Sequence, residues 1–374
     1  MDFDFTPDQD EAAALARRIL TDRCAPERLA EVERTGRRFD ESLWREVGDA
    51  GLLGLGLPEE LGGGGLGLLE TCSVLVEVGR AVAPLPLAWH AAAADLLARS
   101  GTDGHRDLVA DAATGRSVLT VALAEDHAHV ALRPATTVAR TPDGWRVTGS
   151  KTVVPAGTVA DLVVVPASVP APGSPSDDVV LLLVRPDDPG VTLLPQTTND
   201  GDEAARLELD GATLAADRAL TRGPAALQQL VDRVTVLLCA QQLGVVEGAL
   251  TLTAGYAGTR EQFGRPIGTF QAVSQRLADG YIDVQGARLT LWQAAWRLAE
   301  GLPASVEVAV AKLWAADAGH RLAHTTVHVH GGVGIDLDGT AHRYFSAAKR
   351  LEMALGSSTE QALAVGRSLA ADPA

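Results

Sequence analysis

Aromatic residues make up only 4 % of this chain, and cysteine is limited to three positions. Cys24, Cys72 and Cys239 lie far apart without metal-ligand spacing, which excludes a cysteine-based metal site and a disulfide framework and fits free thiols in a reducing cytoplasm. No run of ~18 consecutive apolar residues occurs, so no membrane span is expected. The Met1-Asp2-Phe3-Asp4-Phe5 start is acidic and has no signal-peptide apolar stretch, which points to a cytoplasmic protein. Basic residues are outnumbered: the formal net charge is −16, which repels phosphate backbones and makes nucleic acid an unsuitable partner. A His127-Ala128-His129 pair stands alone, and no metal is expected there.

What remains is Ala, Leu and Val in a chain of 374 residues, 46 % hydrophobic. That is too long for one ordinary core and suits helices packed closely through small side chains. Three textures follow one another. Residues 1–117 are helical in pattern. Thr6-Pro7-Asp8-Gln9 is a helix start, with a capping Thr, a first-turn Pro and an acid at the positive end of the dipole. Further helical patterns run from Leu43 to Leu53 and from Leu68 to Val82, and the run Gly62-Gly63-Gly64-Gly65 between them is a loop. Residues 118–222 change to short runs rich in β-branched residues: Val118 to Leu123, Trp145 to Val147, Leu162 to Val165, Val179 to Val184, Val191 to Leu194 and Arg206 to Leu209. Turn segments such as Pro142-Asp143-Gly144 separate them, which predicts a small β-barrel or sandwich. Its most loop-like stretch is Pro166 to Asp178. Residues 223–374 return to helix in three long patterns, from Ala225 to Thr259, Thr269 to Glu300 and Ala304 to His330, as in a four-helix bundle. The fold class is therefore α+β, with domains at 1–117, 118–222 and 223–374.

Two segments carry candidate ligand-binding groups. Arg260 closes a long helix and is followed by Glu261-Gln262-Phe263-Gly264-Arg265-Pro266; its guanidinium fork matches pyrophosphate oxygens. His330-Gly331-Gly332-Val333-Gly334 is a turn in which backbone can approach a ligand closely. Taken alone, each has a plainer reading: a basic residue favoured by the helix dipole, and an ordinary tight turn.

In this order, with Leu52 to Gly63, Phe270-Gln271-Ala272-Val273 and the helix–strand–helix texture, the segments resemble the acyl-CoA dehydrogenase family over essentially the whole chain. The match includes that family's R-x-x-F-G-x-x-I and G-G-x-G patterns. The resemblance implies oxidation of the Cα–Cβ bond of an acyl-CoA thioester with FAD as cofactor and electron-transfer flavoprotein, or a similar acceptor, taking the electrons. It further implies that Arg260, Gln262, Phe263 and Gln271, with Gly331, Gly332 and Gly334, hold the ADP half of a neighbouring subunit's FAD. His328, where the family often has Gln, and Ser357 join that set. An oligomer follows.

The groups needed for the chemistry are missing from their expected places. The family's base is a glutamate near the C-terminus; aligning Arg343 to Lys349 with the family's helix puts Leu355 there, and a leucine cannot accept a proton. Some members place it on the long helix, where Val234 stands here. Glu247, Glu352 and Glu360 lie near these positions and are the fallback bases, each with a plainer reading as a surface charge or helix pair. The flavin-cradling segments are altered too: Ala124-Glu125-Asp126-His127 lacks the family's Pro, Gly and Ser, Val153 replaces a Trp, and Pro155 replaces a Thr that donates toward the ring. This pattern resembles the non-catalytic subunit of the actinobacterial α2β2 acyl-CoA dehydrogenases of sterol side-chain breakdown. Thr197 to Glu203 and Ala341 to Tyr344 look like that branch as well. Three readings stay open: a base-lacking partner subunit of a heteromeric enzyme; a self-sufficient flavoenzyme, homo-oligomeric, acting on acyl-CoA or a carrier-bound acyl group with a displaced base; and a non-enzymatic CoA-thioester binder or scaffold.

Overall fold

The computed structural model describes residues 5–170 and 178–371. The chain divides into two compact units, one formed by Met1–Thr35, Leu68–Ala83 and Thr235–Ala374, the other by Gly36–Gly67 and Pro84–Val234.

Six helices precede the strands: α1 (Pro7–Arg23), α2 (Pro26–Arg34), α3 (Glu41–Asp49), α4 (Leu68–Arg80), α5 (Leu87–Ser100) and α6 (Arg106–Ala113). The start of α1 is the expected one: Thr6 Oγ1 accepts from Gln9 N (3.3 Å) while Gln9 Oε1 accepts from Thr6 N (3.0 Å), a reciprocal capping box. The helix pattern expected from Leu43 to Leu53 is α3, which begins earlier and stops at Asp49, because Asp40 caps it through Ser42 N and Leu43 N and Gly51 takes a positive φ beyond it.

Eight strands follow: β1 (Leu119–Val121), β2 (Thr137–Thr141), β3 (Gly144–Val154), β4 (Leu162–Ser168), β5 (Val179–Val184), β6 (Val191–Pro195), β7 (Ala205–Ala215) and β8 (Ala219–Arg222). They form one sheet in the order β6-β7-β3-β2-β4-β5-β8, with β1 parallel to β4. Among the described residues its two halves pair through Thr137↔Ser168, in parallel, and side chains from both halves fill one core: Val138, Val147, Val163, Val165, Leu182 and Leu207 among them. The order is open, since no pairing of β6 with β8 closes it among the described residues. Strands β4 and β5 are buried along their whole length, which is why they read as unbroken apolar runs. Pro166 to Ser168, expected in a loop, extend β4, since Pro166 O accepts from a buried lysine and Ser168 Oγ donates to Pro134 O (2.8 Å). Residues 171–177 of that expected loop lie outside the described residues.

The C-terminal helices are α7 (Pro224–Thr259), α8 (Gln271–Ala299), α9 (Ser305–His330), α10 (Ala341–Met353) and α11 (Ser358–Ala371), with a two-stranded hairpin, β9 (Glu261–Gln262) and β10 (Arg265–Pro266), between α7 and α8. Helix α7 has the length and composition of a membrane span, but 89 % of its most apolar window is buried inside the fold, so it is a core helix. Helix α9 packs against α8, α10 and α11, and α1 packs against α4. Helices α4 and α7 touch backbone to backbone: a Cβ on Gly79 would lie 1.9 Å from Gln241 O, and one on Gly244 1.8 Å from Val76 O.

In the unit holding the sheet, His90 on α5 is fully buried. It donates from Nε2 to Ala112 O (3.1 Å) and accepts at Nδ1 from Leu119 N (3.1 Å), tying α5 to the end of α6 and the start of β1. Burial pushes its pKa down to about 4. A folded value below the unfolded one means that this stability is complete above the ordinary histidine range and is lost as pH falls from about 6.5 through about 4, by roughly 3 kcal/mol at the limit. Denaturant titrations at pH 7.5 and pH 5 are expected to show a smaller pH-dependent loss in His90→Gln than in the parent chain; equal losses would show that His90 is not the group responsible.

Candidate functional site

The hairpin after α7 turns through Phe263 (φ +54) and Gly264 (φ +76), the two positive φ values of a tight two-residue turn. A positive φ is costly for an aromatic residue, and here it points Phe263 outward with 92 % of its surface exposed. Arg265 lies over the Phe270 ring at 4.3 Å, and Phe270 meets Phe263 edge-on at 6.2 Å, so the hairpin is braced against the start of α8, where Gln271 is exposed. Arg260 and Gln262 are exposed as well. Backbone bonds Arg260 N to Tyr256 O (2.8 Å) and Ile267 N to Arg260 O (2.8 Å) close the hairpin onto the helix end.

The glycine turn lies at the end of α9. Gly331 has φ +64, and a Cβ on Gly331 or Gly332 would meet nothing within 4 Å, so both leave open room for a ligand to approach. Gly334, expected beside them, is buried, and a Cβ there would lie 2.8 Å from Val327 O, so it packs the turn back onto α9. His328 is exposed on the last turn of α9. The two segments reach one end of the helical unit because Tyr256 on α7 stacks on His330 on α9, with centroids 4.3 Å apart and planes 21° from parallel. Sequence gives neither side chain a role of its own, although Tyr256 lies one helical turn before Arg260 and His330 directly precedes Gly331.

Leu355 stands in the turn between α10 and α11 with φ +59, followed by Gly356 at φ +99. A left-handed leucine is strained, and its surroundings hold it: Gln361 Nε2 donates to Leu355 O (3.0 Å), and the buried Lys312 Nζ donates to Leu351 O (2.8 Å) and Glu352 O (3.0 Å) at the end of α10. Burial draws the Lys312 pKa down to about 8. The Leu355 side chain is buried, and Val234 is fully so. No proton acceptor stands at either position.

Each fallback carboxylate is already engaged. Glu247 is buried and takes both Arg80 and Arg288, within a cluster where Arg17 binds Glu77 (2.8 Å) and Arg80 also reaches Glu77 (3.2 Å). Glu352 binds Lys349 (2.6 Å) and His320 Nδ1 (3.1 Å). Glu360 accepts from Ser357 N (2.7 Å) and Ser357 Oγ (3.2 Å), so Glu360 and Ser357 pair at the start of α11.

In the sheet, Glu125 and Lys151 keep positions of the altered flavin-cradling segments. They face each other. The wholly buried Lys151 Nζ donates to Glu125 Oε1 (2.7 Å) and Pro166 O (2.8 Å), and Glu125 also accepts from Ala135 N, Thr136 N and Thr136 Oγ1. Burial draws the Lys151 pKa down to about 8 against the pull of Glu125. Burial alone would raise Glu125, yet the Lys151 charge and these hydrogen bonds hold it below its ordinary value. Val153 is 43 % exposed and offers no aromatic face, and Pro155 has no N–H while its carbonyl accepts from Thr120 Oγ1 (2.6 Å). The residues of the sheet do not fit a flavin ring. Those at the helical end fit a dinucleotide's ADP half, with an exposed guanidinium, two amide side chains and a turn open beside Gly331 and Gly332. His127 and His129 are exposed on the turn after Glu125.

A helical N-terminal region, a middle sheet and a long C-terminal helical region are the architecture of the acyl-CoA dehydrogenase fold. The chain belongs to the acyl-CoA dehydrogenase family: residues 6–115 match the family model for the acyl-CoA dehydrogenase N-terminal domain, and residues 221–370 the model for its C-terminal domain. It is 44 % identical over 384 residues to acyl-CoA dehydrogenase FadE27 of Mycobacterium tuberculosis, covering 100 % of both chains. It is 32 % identical to FadE28 of the same organism, over 95 % of each. Among solved structures it resembles a chain of the ChsE4-ChsE5 complex from Mycobacterium tuberculosis (TM-score 0.93, 45 % identity, 100 % of both chains). It also resembles one of the Tcur3481-Tcur3483 steroid acyl-CoA dehydrogenase (TM-score 0.90, 42 % identity, 97 % of this chain and 98 % of that one). The two segments that looked like the steroid branch are fold staples here. Arg343 binds Glu33 through two 2.8 Å contacts and Tyr344 OH donates to Arg80 O (2.8 Å), while Asp200 binds Arg38 (3.0 Å).

Proposed function

We propose that this chain is the base-lacking subunit of a heteromeric acyl-CoA dehydrogenase, holding the ADP half of FAD whose ring sits in a second, base-bearing chain. The observation that supports the reading is the turn at Leu355, where a left-handed backbone (φ +59) carries a buried aliphatic side chain at the position the resemblance assigns to the base. Arg260 supplies a fixed charge and a fork of donors for pyrophosphate oxygens, Gln262 and Gln271 supply amides, and the Gly331-Gly332 turn lets backbone approach. When bound, FAD would accept the β-hydride of the thioester, with the α-proton going to the partner's carboxylate. The names of the similar structures, a two-component complex and a steroid acyl-CoA dehydrogenase, support a heteromer and a steroid-derived acyl-CoA as substrate class. Electrons would leave to electron-transfer flavoprotein or an equivalent acceptor.

Expressed alone, the chain is expected to be colourless and unable to oxidise acyl-CoA. Co-expressed with an acyl-CoA dehydrogenase chain that carries the glutamate, it is expected to yield a yellow, active complex. A stoichiometrically yellow chain that oxidises acyl-CoA by itself would refute the proposal.

A further inference from the structure

The Arg260 hairpin and the Gly331-Gly332 turn are each rigid on their own helix. The hairpin is closed onto α7 by the Tyr256 and Arg260 carbonyls and braced by Arg265 on Phe270. The turn is packed onto α9 by Gly334 against Val327. Nothing in either local structure sets the distance between the two, and a dinucleotide gripped by both needs that distance correct.

We infer that Tyr256 and His330 are positioning residues: a latch between the ends of α7 and α9 that sets the spacing of the two segments and thereby the affinity for FAD. The inference rests on the cofactor-arm reading above. Four contacts carry it. The Tyr256 and His330 rings stack at 4.3 Å, each directly beside the segment it would place. His330 Nδ1–H donates to Thr326 O (2.8 Å), which fixes the imidazole tautomer and the ring plane. One turn deeper, the hydroxyls of Thr253 on α7 and Thr326 on α9 meet at 3.1 Å, both fully buried. Thr253 Oγ1 donates its single hydrogen to Ala249 O (2.7 Å), so the Thr326 hydroxyl donates to Thr253. A continuous polar and aromatic link therefore crosses from α7 to α9, and its last element stands at the two helix termini, where helices otherwise fray.

The test uses the full-length chain in complex with its base-bearing partner, stripped of flavin and titrated with FAD by fluorescence quenching. Tyr256→Leu keeps apolar bulk without a ring, and His330→Ala removes the other half of the stack; each is expected to raise the Kd for FAD roughly 3- to 10-fold, the range for an aromatic pair. Tyr256→Phe keeps the stack and is expected to bind like the parent. Hydrogen exchange on the chain alone gives a second readout: amides of residues 260–265 and 331–334 are expected to exchange faster in Tyr256→Leu and unchanged in Tyr256→Phe. Arg260→Ala separates the two levels. If it weakens FAD while Tyr256→Leu and His330→Ala bind normally, the latch is wrong and the cofactor arm stands. If Arg260→Ala leaves FAD binding unchanged, the arm itself is wrong and the latch has no ligand to serve. Equal loss of affinity in Tyr256→Phe and Tyr256→Leu would also overturn the stack as the working contact.

Discussion

Arg260→Ala is expected to weaken FAD binding in the proposed complex with a base-bearing chain by about 10- to 100-fold, the loss of roughly 1.5–3 kcal/mol of charge-assisted hydrogen bonding. Its guanidinium is exposed and makes no ion pair among the described residues, so the variant should fold and melt like the parent. Arg260→Lys keeps the charge and loses the fork; it should recover only part of the affinity, because an ammonium cannot bind pyrophosphate oxygens with two parallel bonds. Flavin retained per complex after gel filtration, with the melting temperature measured alongside, gives the answer. Full retention in Arg260→Ala would remove the hairpin from the cofactor site. A drop in melting temperature as large as the drop in flavin would assign Arg260 to the fold instead.

Gly244→Val is expected to abolish soluble expression, or to lower the melting temperature by many degrees. A Cβ at Gly244 would lie 1.8 Å from Val76 O and 2.7 Å from Arg80 N, and one at Gly79 1.9 Å from Gln241 O. These are backbone atoms of helices α4 and α7, which cannot rotate away as a side chain can. Overpacking a core costs about 1–3 kcal/mol where side chains can yield, and here whole helices must separate, so the cost should exceed that range. Gly244→Ala should be milder but still damaging, and combined with Gly79→Ala it should be non-additive, since either substitution alone already parts the helices. Gly332→Ala is the control: a Cβ there meets nothing within 4 Å, and the variant should melt normally. A Gly244→Val chain as stable as the parent would mean that α4 and α7 do not cross this closely.

Much of the fold can be read from local chemistry. The Thr6 capping box, the glycine loop, the fully apolar strands β4 and β5 and the long helices α7, α8 and α9 all declare themselves through capping, turn and periodicity signals that need no knowledge of neighbours. Several elements are not marked individually by the sequence, α5, α6 and α11 among them, and the weakest signals belong to three others. Strand β2 buries only Val138, β8 has only four residues, and α2 begins at Ala25 without a side-chain cap. Their assignment depends on partners elsewhere in the chain.

The same division holds at the candidate site. Sequence alone determined that Leu355, Val153, Pro155, Arg260 and the Gly331-Gly332 turn are present, and the family resemblance supplied the expectations that Leu355 stands at the base position and that Val153 and Pro155 replace flavin-facing groups, because residue identity is a one-dimensional fact. Tertiary structure decided the rest. It occupied Glu247 with Arg80 and Arg288, Glu352 with Lys349 and His320, and Glu360 with Ser357 at the start of α11. It assigned Gly334 to packing, and it brought Tyr256 onto His330. Whether a carboxylate is free to take a proton, or a glycine is open to a ligand, depends on which groups from distant parts of the chain come within hydrogen-bonding or van der Waals range, and only packing determines that.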